Sequence, residues 1–292
     1  MKKLTDYGES EELTTEHLDQ HKVDDFSRVQ SPSSINTYIQ CPKKYFFRYI
    51  KGLSSVATID QLRGKLLHSI LEDFFDIKPE VFSTISFLAE MKIILIERLS
   101  KRWEELQAEF DELGFNQSIR IAYFYDAQKM LINFLNTFSG KLHKNLEMMN
   151  FENAFKRLCP EREVYLKSER FKIHGYLDAV HKHDKTVILD YKTCAKDDMK
   201  DAYKNQLSIY SLMYFENFKK LPDEVGIHFL MHNIKTIPAT KKMVMGAAKT
   251  ISQVHKRTLS KSENDYKTKK SGLCKWHSGQ CEYYDHCLGK SP

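Results

Sequence analysis

A chain of 292 residues with 41% hydrophobic and 12% aromatic content can bury a substantial core, so it reads as a globular protein rather than a disordered or fibrous one. The 45 Lys and Arg against 39 Asp and Glu leave a net charge of +6, compatible with a polyanionic partner but too mild to demand one. No run approaches the roughly 20 apolar residues of a membrane helix, since even Ile93-Ile94-Leu95-Ile96 sits between Lys92 and Glu97.

The start, Met1-Lys2-Lys3-Leu4-Thr5-Asp6, lacks the apolar core of a secretory signal, so the expected location is the cytoplasm or another reducing compartment. Residues 1–30 are polar without a clear apolar period and read as a flexible or loosely docked arm, with order expected from Ser31. Ser31-Pro32 supplies an N-cap followed by proline at the first helical position, and Ile35, Tyr38 and Ile39 give that helix an apolar face. Pro42 interrupts it and opens a second helix carrying Tyr45, Phe46, Tyr49 and Ile50. Within 31–79, Leu67, Ile70, Leu71, Phe74 and Phe75 then recur at helical spacing, which places His68 and Glu72 together on an adjacent stripe. Residues 80–150 read as a helical insertion with segments around 91–110 and 119–138.

After Pro160 the pattern changes. Glu163-Val164-Tyr165-Leu166, Phe171-Lys172-Ile173-His174-Gly175-Tyr176 and Thr186-Val187-Ile188-Leu189 are short β-rich runs between charged turns, the start of a sheet. A helix at about 203–218, a strand at about 225–231 and a helix at about 243–256 complete a core spanning 151–258. Residues 259–292 read as an exposed Lys- and Ser-rich connection followed by a cysteine-rich end. The expected class is α/β: a mixed central sheet flanked by helices, with a helical insertion and a C-terminal cysteine cluster.

The chemistry concentrates in Gly175-Tyr176-Leu177-Asp178 and Val187-Ile188-Leu189-Asp190-Tyr191-Lys192. Alternate strand residues share a face, so Asp190 and Lys192 project together while Tyr191 points away. Asp178, expected to end the preceding antiparallel strand, reaches the same point. Converging carboxylates bind a hard divalent cation such as magnesium or manganese, and a neighbouring ammonium orients a water or stabilises charge on a pentavalent phosphate. That combination fits phosphodiester hydrolysis. An isolated D-x-K triplet is commonly a solvated sheet edge, but here the charges end an apolar run, where they are costly without a purpose.

Taken in order, Ser31 to Pro42, Arg63-Gly64-Lys65-Leu66-Leu67-His68, Asp178, Asp190-Tyr191-Lys192 and Gln206-Leu207-Ser208-Ile209-Tyr210 resemble the RecB-like branch of the PD-(D/E)xK nucleases, which includes CRISPR-adaptation nucleases and AddB-type subunits. The resemblance implies a restriction-endonuclease-like core and a metal-dependent DNA nuclease, with exonuclease action on single-stranded or frayed ends as the leading version. It also implies that His68, Asp178, Asp190 and the Tyr191 carbonyl ligate metal, that Lys192 is the catalytic lysine, and that Gln206 and Tyr210 face the site or the DNA backbone. Glu163 either supports the site from the first strand or is a solvated strand residue. Lys43, Lys44, Tyr45 and Arg48 either track a single strand of DNA or belong to the core. The alternatives are a catalytically silent DNA-binding or scaffolding subunit, and an end-processing nuclease active only within a recombination or spacer-acquisition complex. The chain has no G-x-x-x-x-G-K-[ST] loop, so helicase activity would come from a partner.

Six cysteines in a reducing compartment point to metal ligation or burial rather than disulfides, and Cys274, Cys281 and Cys287 crowd one end of the chain. The resemblance implies that Cys41 joins these three to hold an iron-sulfur cluster, with a 4Fe-4S cubane as the leading form. The Cys274 to Cys281 gap is longer than the family's commonest spacing. Zinc therefore stays open, with His277 or His286 as an additional ligand. Cys159 and Cys194 read as ordinary buried or half-buried residues.

Overall fold

Ser31 caps helix α2 (Pro32–Gln40), accepting from the Ser34 backbone while the Ser34 hydroxyl receives the Ser31 N–H. Pro42 ends that helix and opens α3 (Pro42–Tyr45), which runs on as a π-helical turn, Phe46–Ile50. The computed structural model describes residues 13–24, 28–79, 86–276 and 279–289. Order begins earlier than Ser31. A short helix α1 (Glu16–Asp19) buries Leu18 completely, the Val23 N–H donates to the Arg170 carbonyl, and Gln30 bridges Ile173 in parallel. Leu18 and Val23, the buried apolar residues here, stand five apart in a polar segment and give no helical or strand period, which is why the sequence reads this stretch as an arm.

Four long helical segments follow: α4 (Ile59–Phe74), α5 (Phe87–Glu105) with the short α6 (Gln107–Glu112) after it, α7 (Gln117–Leu146) and α8 (Phe151–Leu158). Thr58 and Gln61 form a reciprocal capping box at the start of α4, so the helix carrying His68 begins well upstream of Gly64. The sheet comprises β1 (Glu161–Ser168), β2 (Ile173–His181), β3 (Val187–Lys192), β4 (Glu224–Phe229) and β5 (Ile234–Pro238), in that spatial order. The β3–β4 pair is parallel, joined by α9 (Asp201–Phe218), and the other pairs are antiparallel. The sheet is therefore mixed, as expected. β5 is short and only partly buried, a pattern that sequence periodicity does not pick out.

Helices cover both faces. On one, α2, α3, α9 and α10 (Lys241–Arg257) pack against Leu166, Leu177, Ile188 and Ile227. On the other, α4, α5, α7 and α8 bury their apolar stripes around Phe74, Phe134 and Phe155 against Ala179, Leu189 and Tyr191. The helical insertion thus shares its core with β3. Gly175 allows the first face to close, because a Cβ there would lie 3.2 Å from both Pro32 Cδ and Met213 Cε. A two-stranded ribbon, β6 (Lys275–Trp276) with β7 (Gly279–Gln280), and helix α11 (Tyr284–Leu288) complete the described end. No helix among the described residues is long and apolar enough to cross a membrane.

Candidate active site

A break in regular strand geometry creates the site. Leu177 packs on the α9 side of the sheet and Ala179 on the α4 side, so the two neighbours of Asp178 face opposite ways, which an unbroken strand forbids. Opposite this switch, Glu163 in the middle of β1 has φ +45°, a left-handed conformation that a non-glycine residue adopts at a cost of roughly 1–2 kcal/mol. The β2–β3 pairing also stops here, at Ala179 opposite Leu189. Where the next rung would form, the Asp178 carboxylate accepts the Tyr191 N–H at 2.7 Å instead. Asp178 therefore lies within β2, not at its end, and closes the crotch between two splaying strands.

Three elements meet at this crotch. His68 from α4, Glu163 from β1 and Asp178 from β2 present ligand atoms that lie within 4.8 Å of one another. The His68 Nε2 and the Tyr191 carbonyl are 3.0 Å apart, and Nδ1 is 3.4 Å from Asp178 Oδ2. With Nε2–H donating to that carbonyl, Nδ1 keeps its lone pair. Burial holds His68 below the ordinary imidazole range, and the Lys192 charge acts in the same direction. Burial raises the Asp178 carboxyl well above the usual range and the nearby Asp190 charge adds to this; Glu163 is raised by burial, Glu72 and Asp190. A divalent cation would relieve this crowding of carboxyl groups. Arg63, whose role the sequence leaves unread, is buried and donates to Asp60 Oδ1 and the Thr193 carbonyl, both at 2.9 Å. It ties the His68 helix to the end of β3.

Asp190 and Lys192 do share a face, but it is the α9 face. Asp190 is 1% exposed. Its Oδ1 accepts from Gln206 Nε2 at 2.8 Å and from the Tyr210 hydroxyl at 3.0 Å, while Gln206 Nε2 also meets the Tyr210 oxygen at 2.7 Å. Oδ2 lies 2.5 Å from Lys192 Nζ, in an ion pair rather than a well-directed hydrogen bond. Burial alone would lower Lys192, but the Asp190 charge beside it holds the ammonium above the ordinary lysine value. The ammonium also stands 5.6 Å over the Tyr203 ring. The i and i+4 pair on α9 thus contacts Asp190 directly. Tyr191 points away, into the opposite core beside Phe134 and His228.

Elsewhere, Cys41, Cys274, Cys281 and Cys287 line one small cavity with Lys43, Lys44, Phe47 and Tyr283. The Cys281 N–H donates to the Cys274 carbonyl at 2.9 Å and burial raises the Cys281 thiol. Lys43 pairs with Glu263 and Lys44 with Glu282, while Tyr45 is fully buried, so these three serve the fold rather than an open track. Arg48 stands 5.5 Å from the Tyr49 ring. His277 lies outside the described residues, and His286 packs near Phe47. Cys159 and Cys194 are half-buried and lie outside that cavity.

Comparison with known proteins identifies the family. The profile of the PD-(D/E)XK nuclease superfamily matches residues 30–287. The CRISPR-associated exonuclease Cas4 of Francisella tularensis subsp. novicida (strain U112) is 28% identical over 155 residues, covering 50% of this chain and 74% of that protein. A crystal structure from Eubacterium rectale, assigned as an exonuclease, superposes with a TM-score of 0.46 at 13% identity, covering 96% of this chain and 100% of that one. With a profile match that spans nearly the whole described fold and every element of the crotch, the chain belongs to the PD-(D/E)XK nuclease superfamily.

Proposed function

We propose that the protein is a metal-dependent deoxyribonuclease, an exonuclease that prefers single-stranded ends. The observation that carries this reading is the convergence of His68, Glu163 and Asp178 beside the buried Asp190–Lys192 pair. One neutral imidazole and hard carboxylate oxygens suit magnesium or manganese. His68, Asp178, Asp190 and the Tyr191 carbonyl would hold the cation, with Glu163 alongside. When bound, the cation supplies positive charge against the phosphoryl oxygens. Lys192 holds its proton at Nζ and sets a second positive charge where negative charge builds in the transition state. Gln206 and Tyr210 hold Asp190 in one orientation through Oδ1. The substrate is DNA, and any helicase or recombination function belongs to a partner.

The four cysteines hold an iron-sulfur cluster of the 4Fe-4S type with a structural role. All four cysteines border one small cavity, so a single metal centre could draw on thiolates from both ends of the described fold. The test of the activity is digestion of end-labelled single- and double-stranded DNA with magnesium or manganese. Asp190→Ala and Lys192→Ala should each lose on the order of 100-fold in rate while staying folded. Near-normal cleavage by both variants would refute the assignment, and equal degradation of circular and linear single strands would make the enzyme an endonuclease.

A further inference from the structure

The face of the β1–β2 hairpin turned away from α9 carries a stripe that starts at the metal site and runs on beyond it. Along β1 it runs Glu163, Tyr165, Lys167, and along β2 it runs Asp178, Tyr176, His174, with Tyr165 directly opposite Tyr176 and Lys167 opposite His174. The alternate residues Leu166, Leu177 and Ile173 are buried against the helices. Core packing therefore accounts for one face of the hairpin only. Tyr165 and Tyr176 are 49% and 54% exposed, unusually open for paired aromatic rings on a regular strand. Their centroids are 5.1 Å apart at an interplanar angle of 54°, and His174 lies 5.9 Å from Tyr165. Helix α4 reaches β1 at Arg162, which binds the Glu72 carbonyl and Asp76, just short of the stripe.

We infer that this stripe is the path by which a single strand of DNA reaches the metal site, with Tyr165 and Tyr176 stacking its bases. The inference deepens the nuclease reading and rests on it. Two strand residues span about 6.6 Å, so the tyrosine pair stands roughly two stacked-base spacings from Glu163 and Asp178. Aromatic faces accept any base, and they accept only bases that have left a duplex. Lys167 and His174 place basic groups beyond the tyrosines, the order that a strand with its phosphates leading to the cation requires. Lys167 is ion-paired with Glu169 on the surface, a contact that water and salt weaken. The strand's sequence is not read here, because stacking carries no donor and acceptor code.

The test compares wild type, Tyr165→Ala/Tyr176→Ala and Tyr165→Phe/Tyr176→Phe in binding fluorescein-labelled oligothymidylate without divalent metal, and in cleaving it with manganese. An abasic strand of the same length serves as the base-free probe. The alanine pair should bind oligothymidylate about tenfold or more weakly and raise KM rather than lower kcat, whereas the phenylalanine pair should match wild type. Wild type and the alanine pair should bind the abasic strand alike. Equal loss on the abasic strand, or no loss on oligothymidylate, overturns the stacking path. Wild type that cleaves no DNA with manganese instead overturns the nuclease reading, and the binding comparison still decides the path. Unchanged circular dichroism and melting exclude misfolding at these two exposed positions.

Discussion

Removing one hydroxyl should expose how the buried carboxylate is held. In Tyr210→Phe the ring still fills a site that is 4% exposed, so no cavity opens, but Asp190 Oδ1 loses its 3.0 Å donor and keeps only Gln206. A hydrogen bond to a charged group contributes about 1.5–3 kcal/mol, and Gln206 retains part of the function, so about 1–2 kcal/mol of stability should go. For a chain of this length that is a melting shift of about 2–4 °C. The more specific effect is on the cation, because partners that orient a ligand typically set about 10- to 100-fold in metal affinity. Manganese titration of cleavage should therefore shift to higher concentration with the plateau rate largely recovered, and calorimetric titration of the metal should show the same weakening. Gln206→Ala should behave alike. Unchanged metal affinity in both variants would refute the reasoning that α9 orients Asp190.

Glu163→Ala and Glu163→Gly should both weaken metal binding, but the glycine variant should melt higher, by the equivalent of about 1 kcal/mol, because only glycine takes φ +45° without strain; equal melting would show that the position stores none. Anaerobically purified protein should be brown with iron and sulfide near four each per chain, whereas colourless protein with stoichiometric zinc would transfer Cys41, Cys274, Cys281 and Cys287 to zinc. His228, 3% exposed, is pushed down to about 4 by burial, with Lys141 and His181 adding. The unfolded chain binds the extra proton below about pH 6.5, so His228's contribution is full above that value and is lost as pH falls toward 4. Denaturant melts at pH 7 and pH 5 should differ by up to about 2 kcal/mol more in wild type than in His228→Phe, and identical pH slopes would refute the buried neutral ring.

The pieces of the candidate site were legible in the sequence because each is local. The Ser31-Pro32 cap, the stop at Pro42, the helical stripe around His68 and the strand ending in Asp190-Tyr191-Lys192 are each set by a few neighbouring residues. Gln206 and Tyr210 fall on one helix face by spacing alone. Where those faces lead was decided only by tertiary packing. Period-two alternation placed Asp178 at a strand end, but the α9 and α4 faces compete for Leu177 and Ala179, and satisfying both forces the switch that turns Glu163 and Asp178 toward His68. Long-range contacts likewise decided that Gln206 and Tyr210 grip Asp190, that Arg63 anchors Thr193 and that Leu18 docks a polar segment. None of these leaves a periodic trace, because each joins residues that the sequence holds far apart.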